Sequence, residues 1–285
     1  MISLVYAVIF ILLAPLVGGL LSGIDRKVTA HMQGRVGPSI FQPFYDVGKL
    51  FEKDPAEVNG TQRFYVISYF VFAVFTGALF FAGGDLLLVV FALTLAEVFL
   101  VLGAYAAYSP YSHVGAEREL LQVMAYEPIM ILSAVGIYMV TGSFAVSDIL
   151  AYPMLLVILL PGLFLGFLYA LTIKLRKSPF DISTSHHAHQ EIVKGVTTEF
   201  SGPNLGFIEV THWYELVFLL GFTYLFFAAN WIVGIIAVII VFLLELFIDN
   251  TNARVKWQLA VKSTWAITLL VAIVNLAVLA CVVVV

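Results

Sequence analysis

Residues 86–108 read LLLVVFALTLAEVFLVLGAYAAY, and this stretch decides the fold class. It is an unbroken apolar run of the length that a helix needs to cross a bilayer, about 20 residues. Its one charged residue is Glu97, near the middle of the run. Because lipid offers the backbone no hydrogen-bond partners, a run this long and apolar is expected to be a transmembrane helix.

The same pattern recurs along the whole chain of 285 residues, of which 62% are hydrophobic and 11% charged. Soluble domains are only about 45–50% apolar, so the sequence excludes a soluble enzyme with a single anchor. It predicts an all-α integral membrane protein, one polytopic domain over residues 1–285 with about eight transmembrane helices. The apolar runs are residues 2–21, 64–82, 86–108, 120–140, 153–173, 208–228, 231–248 and 264–285.

All 14 Lys and Arg residues fall in four polar segments, 23–63, 109–119, 174–207 and 249–263. Since cytoplasmic loops of membrane proteins are rich in Lys and Arg, we expect these segments in the cytoplasm and both termini outside a cell membrane. No basic residue precedes the first apolar run, which is therefore predicted to be a span and not a cleaved signal. The charge pattern gives no clustered basic face for nucleic acid.

Two cytoplasmic segments have a structure of their own. In the first, Pro43 is suited to begin a helix. Its apolar face would carry Phe44, Val47, Gly48 and Phe51, and its polar face Asp46, Lys49, Glu52 and Lys53. This pattern predicts an amphipathic helix lying in the membrane interface. The second, the large loop 174–207, is punctuated by Pro and Gly and contains the run His186-His187-Ala188-His189.

Metal chemistry within this chain is disfavoured. Its one cysteine, Cys281, cannot hold an iron–sulfur cluster or a zinc site, so any redox metal is expected in another chain. The histidine run has the composition of a metal-binding tract. A proton relay, an interface role or ordinary surface histidines remain the better readings of His186, His187 and His189, because no cysteine accompanies them.

Carboxylates inside the apolar runs are the sharpest functional signal. A charge at the bilayer centre costs several kcal/mol and usually faces a protein interior or a water path. His212 lies three residues from two of these carboxylates, so neighbouring helical turns can group them. We therefore predict a path for protons or ions, the alternative being neutral carboxyls that only hold the helices together. The five glutamates are Glu97, Glu127, Glu209, Glu215 and Glu245.

Four motifs in order resemble one family. They are Gly34-Arg35-Val36-Gly37-Pro38 followed by Gln42-Pro43, Asp46 and Lys49; Arg118 and Gln122 leading to Ala125-Tyr126-Glu127; Pro179-Phe180-Asp181; and Glu199-Phe200-Ser201-Gly202. Together they are similar to the complex I membrane subunit that docks the peripheral arm. Several linked motifs in order are more specific than any one of them.

The resemblance implies a non-redox subunit that joins a cytoplasmic electron-transfer arm to an ion-translocating membrane arm. By alignment with the family, two of its glutamates fall on Lys174 and His212. The implied path is Glu97, Glu127, Lys174, Glu209, His212, Glu215 and Glu245. The implied arm-docking and coupling residues are Arg35, Asp46, Lys49, Arg118, Asp181, His186, His187, His189, Glu191 and Glu199.

At one position the chain departs from the family pattern, and this departure indicates which branch of the family it resembles. Quinone-reducing relatives are rich in glutamate after Pro-Phe-Asp, whereas this chain has the His-rich run before Glu191. That version resembles the corresponding subunit of two archaeal complexes that use ferredoxin, the membrane-bound [NiFe] hydrogenase and the sulfane reductase. The implied partners are peripheral iron–sulfur and catalytic subunits, antiporter-like membrane subunits, ferredoxin as electron donor, and membrane lipid. Iron–sulfur clusters, and a NiFe centre in the hydrogenase case, would lie in those partners.

Two other readings stay open. One is a quinone-chamber subunit of a quinone oxidoreductase, in which the first and third cytoplasmic loops line the chamber. The other is a stand-alone ion transporter, which usually shows inverted repeats or paired broken helices that the sequence does not reveal.

Overall fold

The computed structural model describes residues 2–56, 60–180 and 195–283, and within this part the chain is helical. The one β-type contact there is an isolated bridge between Asp85 and Ala145. The helices are α1 (Ile2–Met32), α2 (Gln42–Phe51), α3 (Gly60–Phe81), α4 (Leu86–Tyr105), α5 (Pro110–Thr141), α6 (Val146–Leu150), α7 (Leu156–Leu159), α8 (Pro161–Lys174), α9 (Gly202–Leu225), α10 (Trp231–Thr251), α11 (Trp257–Ile267) and α12 (Val274–Val283). A π-helical segment, Thr268–Ile273, joins α11 to α12.

Seven helices in the described part are long and apolar enough to cross a membrane, which confirms the all-α membrane fold. They are α1, α3, α4, α5, α9, α10 and the continuous stretch of α11, π segment and α12. The fifth of the eight predicted spans, residues 153–173, is different. It is divided into α7 and α8 at Leu160 (φ −120°, ψ 44°), because Pro161 has no N–H with which to continue a helix.

Several predicted loop boundaries are wrong, because helices extend into the predicted loops. The segment 109–119 is not a loop, because Pro110 begins the 32-residue helix α5. Helix α1 continues through the predicted loop start at 23 as far as Met32, and α11 begins at Trp257, inside the predicted loop 249–263. A 32-residue helix is about 48 Å long against a hydrocarbon core of about 30 Å, so its polar first turns extend beyond the lipid. Apolar length alone therefore places a span but not its ends.

A helix is present at the predicted position as α2, with Pro43 in its first turn and Pro43 and Val47 buried, and its location in the membrane interface stays a prediction. The ring of Phe44 lies 5.2 Å from that of Trp213, which places α2 against α9. Helix α1 packs on the same part of α9 very closely. A Cβ atom added at Gly18 would lie 2.5 Å from the carbonyl oxygen of Trp213.

The helices α3, α4, α5, α8 and α9 enclose the polar interior described below. We call the end of the bundle that carries α2, the start of α5 and the C-terminus of α8 the basic end. At the opposite end, Asp85 caps α4 by accepting a hydrogen bond from the Leu88 N–H at 3.0 Å. Between the two ends, the interior beside α9 is filled with aromatic rings, such as those of Phe167 and Phe222, which stack at 4.9 Å.

Candidate functional site

Five charged side chains from four elements meet in the protein interior near the basic end. They are Glu97 of α4, Glu119 of α5, Glu215 of α9, and Lys174 and Arg176 at and just beyond the end of α8. Each is less than one-tenth exposed. Charges are buried in proteins only when they are paired and hydrogen-bonded, so these contacts define the site. We call this group the buried charge cluster.

Lys174 occupies the middle of the buried charge cluster. Its ammonium donates to Glu97 Oε1 and lies 3.3 Å from Glu215 Oε1. Its Nζ also sits 5.6 Å from the centre of the Tyr126 ring, a cation–π distance. Lys174 is the last residue of α8, where a cation also interacts favourably with the negative end of the helix dipole.

Arg176 is the second basic residue of the buried charge cluster. Its Nη2 lies 2.8 Å from Glu119 Oε1 and 3.5 Å from Glu97 Oε2, so Glu97 is shared between the two cations. Burial alone would lower the pKa of Arg176, but the negative charge of Glu119 and its neighbours outweighs burial and raises that pKa above its usual value. Arg176 is therefore a permanent charge of the cluster.

His212 joins the cluster through Arg176. One guanidinium nitrogen of Arg176 contacts Nε2 of His212. A guanidinium only donates, so Nε2 is the acceptor in this hydrogen bond. In this arrangement three carboxyl groups share two basic side chains. When all five groups are ionised the cluster has a net charge of −1, which one further positive charge or one protonated carboxyl would balance.

Tyrosine hydroxyls and threonines complete the polar interior. Tyr69 of α3 is fully buried and donates to Glu215 Oε1 at 3.0 Å. One helical turn before Asp249, Glu245 of α10 is 1% exposed and accepts from Thr172 of α8 at 3.2 Å. Its other oxygen, Oε2, has no hydrogen-bond partner within the described part of the chain. Glu245 therefore has a free acceptor position in the interior.

A cavity of about 680 Å³ opens beside the buried charge cluster at the basic end. Lys174, Arg176, His212 and Glu215 line its inner wall, while Arg26 and Arg35 lie on its α1 side. Glu209, one turn before His212, also lines it. The cavity thus connects the neighbourhood of the cluster to the polar surface.

A second ion-pair group lies at the rim of this cavity. Lys177 contacts Asp25 of α1 and lies 3.1 Å from Asp249 of α10, and the Ser178 N–H donates to Asp249 at 2.8 Å. Burial alone would lower the pKa of Lys177, but the two aspartates outweigh burial and raise it. Lys177 thereby ties the ends of α1 and α10 to the segment after α8.

The structure brings together four of the seven predicted path residues: Glu97, Lys174, His212 and Glu215. Glu209 and Glu245 are neighbours of that group, as described above. Glu127 is apart from it. Glu127 is half-buried on α5, accepts a hydrogen bond from Thr94 of α4 at 3.0 Å, and makes no ion pair with a described residue.

The predicted docking residues that are described lie around the basic end. Asp46 pairs with Arg26 at 2.6 Å, which ties α2 to α1. Partial burial raises the pKa of Asp46, but hydrogen bonds from Arg26 and Gln42 outweigh it and hold the pKa below its usual value. Lys49 and Arg35 are exposed, whereas Arg118 and Glu199 are half-buried. Asp181, His186, His187, His189 and Glu191 lie outside the described residues.

Sequence reasoning missed Glu119, Arg176, Tyr69 and Tyr126 as members of the site. Glu119 and Arg176 were assigned to cytoplasmic loops, whereas the extended helix α5 and the turn after α8 place both inside the protein. One signal was present in the sequence: three buried carboxylates require cations, and Lys174, Arg176 and Lys177 are the basic residues that directly follow an apolar run. Within the described residues, no group of three His, Cys, Asp or Glu side chains is arranged to hold a metal ion.

Comparisons with known proteins agree with this architecture. The family model described as NADH dehydrogenase matches residues 4–280. Hydrogenase-4 component C of Escherichia coli (strain K12) is 29% identical over 297 residues, which covers 92% of this chain and 90% of that protein. An NADH-quinone oxidoreductase subunit of Anoxybacillus flavithermus (strain DSM 21510 / WK1) is 28% identical over 286 residues, covering 88% of this chain and 85% of that protein.

A solved structure is similar over nearly the full length. It is a chain of the membrane-bound sulfane sulfur reductase (MBS), an archaeal respiratory membrane complex, with a TM-score of 0.87 and 25% sequence identity. The match covers 98% of this chain and 100% of that one.

Proposed function

The chain belongs to the NADH dehydrogenase family, and from this premise we propose that it couples a redox reaction in a peripheral arm to ion movement in a membrane arm. It is a multi-pass membrane subunit of the kind found in complex I-like and hydrogenase-type complexes. The proposed complex is ferredoxin-linked, a hydrogenase or a sulfane reductase, as the His-rich loop suggests. We propose that the basic end is the surface on which the iron–sulfur and catalytic subunits of the complex dock. In this proposal the basic end faces the cytoplasm and both termini of the chain lie outside the cell membrane.

The observation that carries the proposal is the buried charge cluster beside an open cavity. A purely structural core does not need five charged side chains, because burying ions costs several kcal/mol each before pairing. Groups that share charge in this way change their pairing when one of them gains or loses a proton. The cluster is therefore suited to convert a local redox or structural event into a proton movement.

His212 is the proposed acceptor of the proton. A proton placed on Nε2 would remove the acceptor to which Arg176 now donates and put two positive charges side by side. Arg176 would then have to shift toward Glu119 and away from Glu97, to which it now lies 3.5 Å. Such a shift changes which carboxylates Lys174 neutralises, which is the two-state behaviour that coupling requires.

The route beyond the cluster is proposed to be lateral. Past Glu215, α9 continues toward the opposite end with Phe218 and Phe222, packed against Phe80 and Phe167. In the same half, the buried Thr223 donates to the Leu219 carbonyl in its own helix. This apolar packing argues against an ion path straight through the chain, and therefore against a stand-alone transporter. Glu127, with Thr94, is the proposed group facing an antiporter-like neighbour.

The redox cofactors are proposed to lie in partner subunits as iron–sulfur clusters, with a NiFe centre if the complex is a hydrogenase. The test is to tag this chain, extract it in mild detergent and measure nickel, iron and acid-labile sulfide in what co-purifies. Nickel with excess iron and sulfide supports a hydrogenase, to be assayed for proton reduction by reduced ferredoxin. Iron and sulfide without nickel moves the assignment to sulfane or quinone reduction. A metal-free single chain would contradict the proposal.

A second candidate function is a subunit of a quinone chamber, and the cavity of about 680 Å³ between α1, α9 and α10 is the observation in its favour. Trp213, Leu216 and Leu219 give it an apolar side on α9. The charged remainder of its wall fits a quinone head group better than an isoprenoid tail. Quinone reduction by the purified complex that a quinone-site inhibitor blocks would favour this candidate over the first. A complex that reacts with ferredoxin and not with quinone would exclude it.

A further inference from the structure

The break between α7 and α8 is held by one side chain from the last span. Oδ1 of Asn275 accepts hydrogen bonds from the N–H groups of Gly162 and Leu163, at 3.0 and 3.2 Å. Its Nδ2 donates to the Leu159 carbonyl at 3.2 Å. The first N–H groups of a helix have no partner within the helix, and in lipid an unpaired N–H costs several kcal/mol. Asn275 therefore fixes where α8 begins.

The last span, which runs from α11 through the π segment to α12, also contacts α8 at a second position, nearer the buried charge cluster. The Tyr169 hydroxyl and the Ser263 hydroxyl lie 2.6 Å apart. Tyr169 is five residues before Lys174, and Gly162 is seven residues before Tyr169. The last span thus contacts the helix that presents Lys174 at both its start and its second half.

A regular helix would not bring Ser263 and Asn275 to one neighbour. They are 12 positions apart in the sequence. At about 100° per residue, an α-helix would turn them about 120° away from each other. The π segment Thr268–Ile273 lies between them, and a π-bulge accommodates about one extra residue in a turn. Counted as 11 α-helical steps, the same two side chains are only about 20° apart.

The π segment also approaches α8 closely. A Cβ atom added at Gly162 would lie 2.7 Å from the Val271 carbonyl oxygen and 2.8 Å from Cβ of Asn275. Only glycine fits at this contact, so the start of α8 lies directly against the irregular turn. The π segment, the Asn275 side chain and Gly162 therefore all meet at the start of α8.

We propose that the π segment Thr268–Ile273 is a register element that turns Asn275 and Ser263 to the same face, where they position α8 and hence Lys174. Asn275 is the principal positioning residue of this device. Because α8 is a single helix of 14 residues, a displacement at Gly162 is transmitted to Lys174 at its other end. That such a displacement affects coupling rests on the proposed function. That Asn275 and Ser263 position α8 does not.

Hydrogen exchange on the purified complex tests the positioning directly. In Asn275→Leu, we expect amide exchange across residues 162–174 to be about tenfold faster, the size of effect expected when a helix cap is lost. Val274→Ala is the matched control, because Val274 is the preceding residue and its side chain is 55% exposed. Faster exchange confined to residues 162–163, or an equal effect of the control, would overturn the inference.

Deletion of Leu270 tests the role of the π segment while keeping every hydrogen-bonding side chain. Leu270 is 70% exposed, so its side chain contributes little packing within this chain. Removing one residue leaves 11 steps between Ser263 and Asn275, which a regular helix spans with the two side chains still about 20° apart, so we expect exchange protection over 162–174 to be retained. Inserting one Ala after Leu270 instead turns Asn275 about 100° further and should lose this protection as Asn275→Leu does. Loss of protection in the deletion variant, or retained protection in the insertion variant, would show that the π segment sets no register.

Coupling is measured separately, as ions moved per electron in membrane vesicles that contain the complex. Asn275→Leu is expected to lower this ratio in the native background. An unchanged ratio in an Asn275→Leu complex that shows the expected change in exchange would contradict action on coupling through Lys174. If exchange changes as expected while a complex carrying both Glu97→Gln and Lys174→Met pumps normally, the proposed function fails and the positioning inference stands.

Discussion

At the scale of single residues, the account depends on how buried carboxylates are neutralised. Glu97 interacts with two cations, Lys174 and Arg176, whereas Glu127 interacts with the hydroxyl of Thr94. These two glutamates are therefore in different electrostatic environments although both lie inside apolar runs. Substitutions at the two positions are expected to have different consequences.

Replacing Glu127 by Gln is expected to lower the number of ions moved per electron. The amide oxygen of Gln can still accept the Thr94 hydrogen bond, so the complex should assemble and transfer electrons. The measurement is ion uptake by membrane vesicles together with the rate of electron transfer. Glu117→Gln is the control on the same helix, since Glu117 is exposed and contacts His113. Unchanged ion transport in an assembled Glu127→Gln complex would count against a role in the path.

Replacing Lys177 by Met is expected to lower the free energy of unfolding by about 1–3 kcal/mol, because Asp25 and Asp249 lose their shared cation. The folded-state pKa of Lys177 is raised, so its contribution is full below its usual pKa of 10.5 and is lost only as the pH rises through the higher folded value. The stability difference from the native protein should therefore be the same at about pH 6 and about pH 9. A difference that disappears by about pH 9 would show that Lys177 is not held in its charged form.

The sequence predicted part of the residue-level site. The spacing of His212 and Glu215 on one helix placed them together, and the mid-span position of Glu97 marked it as buried. Glu119 and Arg176 were not predicted, because nothing in the local sequence shows that a polar helical turn outside the lipid is covered by other helices. Pairing between distant segments depends on tertiary packing, which a pattern along one chain does not contain.

At the scale of elements, helix lengths and close approaches set the geometry of the site. The apolar runs predicted the order of the spans, and the position of Pro43 predicted the start of α2. The division of the fifth span at Leu160 was not predicted, because Pro161 can equally follow a kink in a continuous helix. The π segment also left no recognisable signal, since its residues are ordinary apolar ones.

Replacing Gly18 by Ala is expected to destabilise the protein by about 1–3 kcal/mol, the usual cost of overpacking. The new Cβ would lie 2.5 Å from the Trp213 carbonyl oxygen and force α1 away from α9. Gly48→Ala on α2 is the matched control, because nothing lies within 4 Å of an added Cβ there and Ala is the better helix former. Thermal unfolding in detergent compares the two. Equal destabilisation by both variants would contradict the close packing of α1 on α9.

At the scale of the whole molecule, the helix bundle has two halves along its length. The half at the basic end has a polar interior, and the opposite half has aromatic packing beside α9. The cavity and the buried charge cluster lie in the first half, and the stacked rings of Phe167 and Phe222 lie in the second. This division explains why the chain is expected to work with membrane neighbours, since a path that enters at one end has to leave sideways. Family membership was predicted from four short motifs and is confirmed by the match over residues 4–280. The identity of the partners stays a prediction, because the similar proteins show only that such subunits belong to multi-subunit membrane complexes.

The most direct test of the central claim removes the Glu97–Lys174 pair without changing the net charge. Removing one partner of a buried ion pair typically costs about 3–5 kcal/mol, whereas replacing both with neutral residues of similar volume is often tolerated. The variant carrying both Glu97→Gln and Lys174→Met should therefore assemble. Ions moved per electron are then measured in vesicles driven by the complex's own electron donor. The account predicts an assembled complex in which this ratio falls to near background. An assembled complex with the native ratio would contradict the claim that the buried charge cluster couples electron transfer to ion movement.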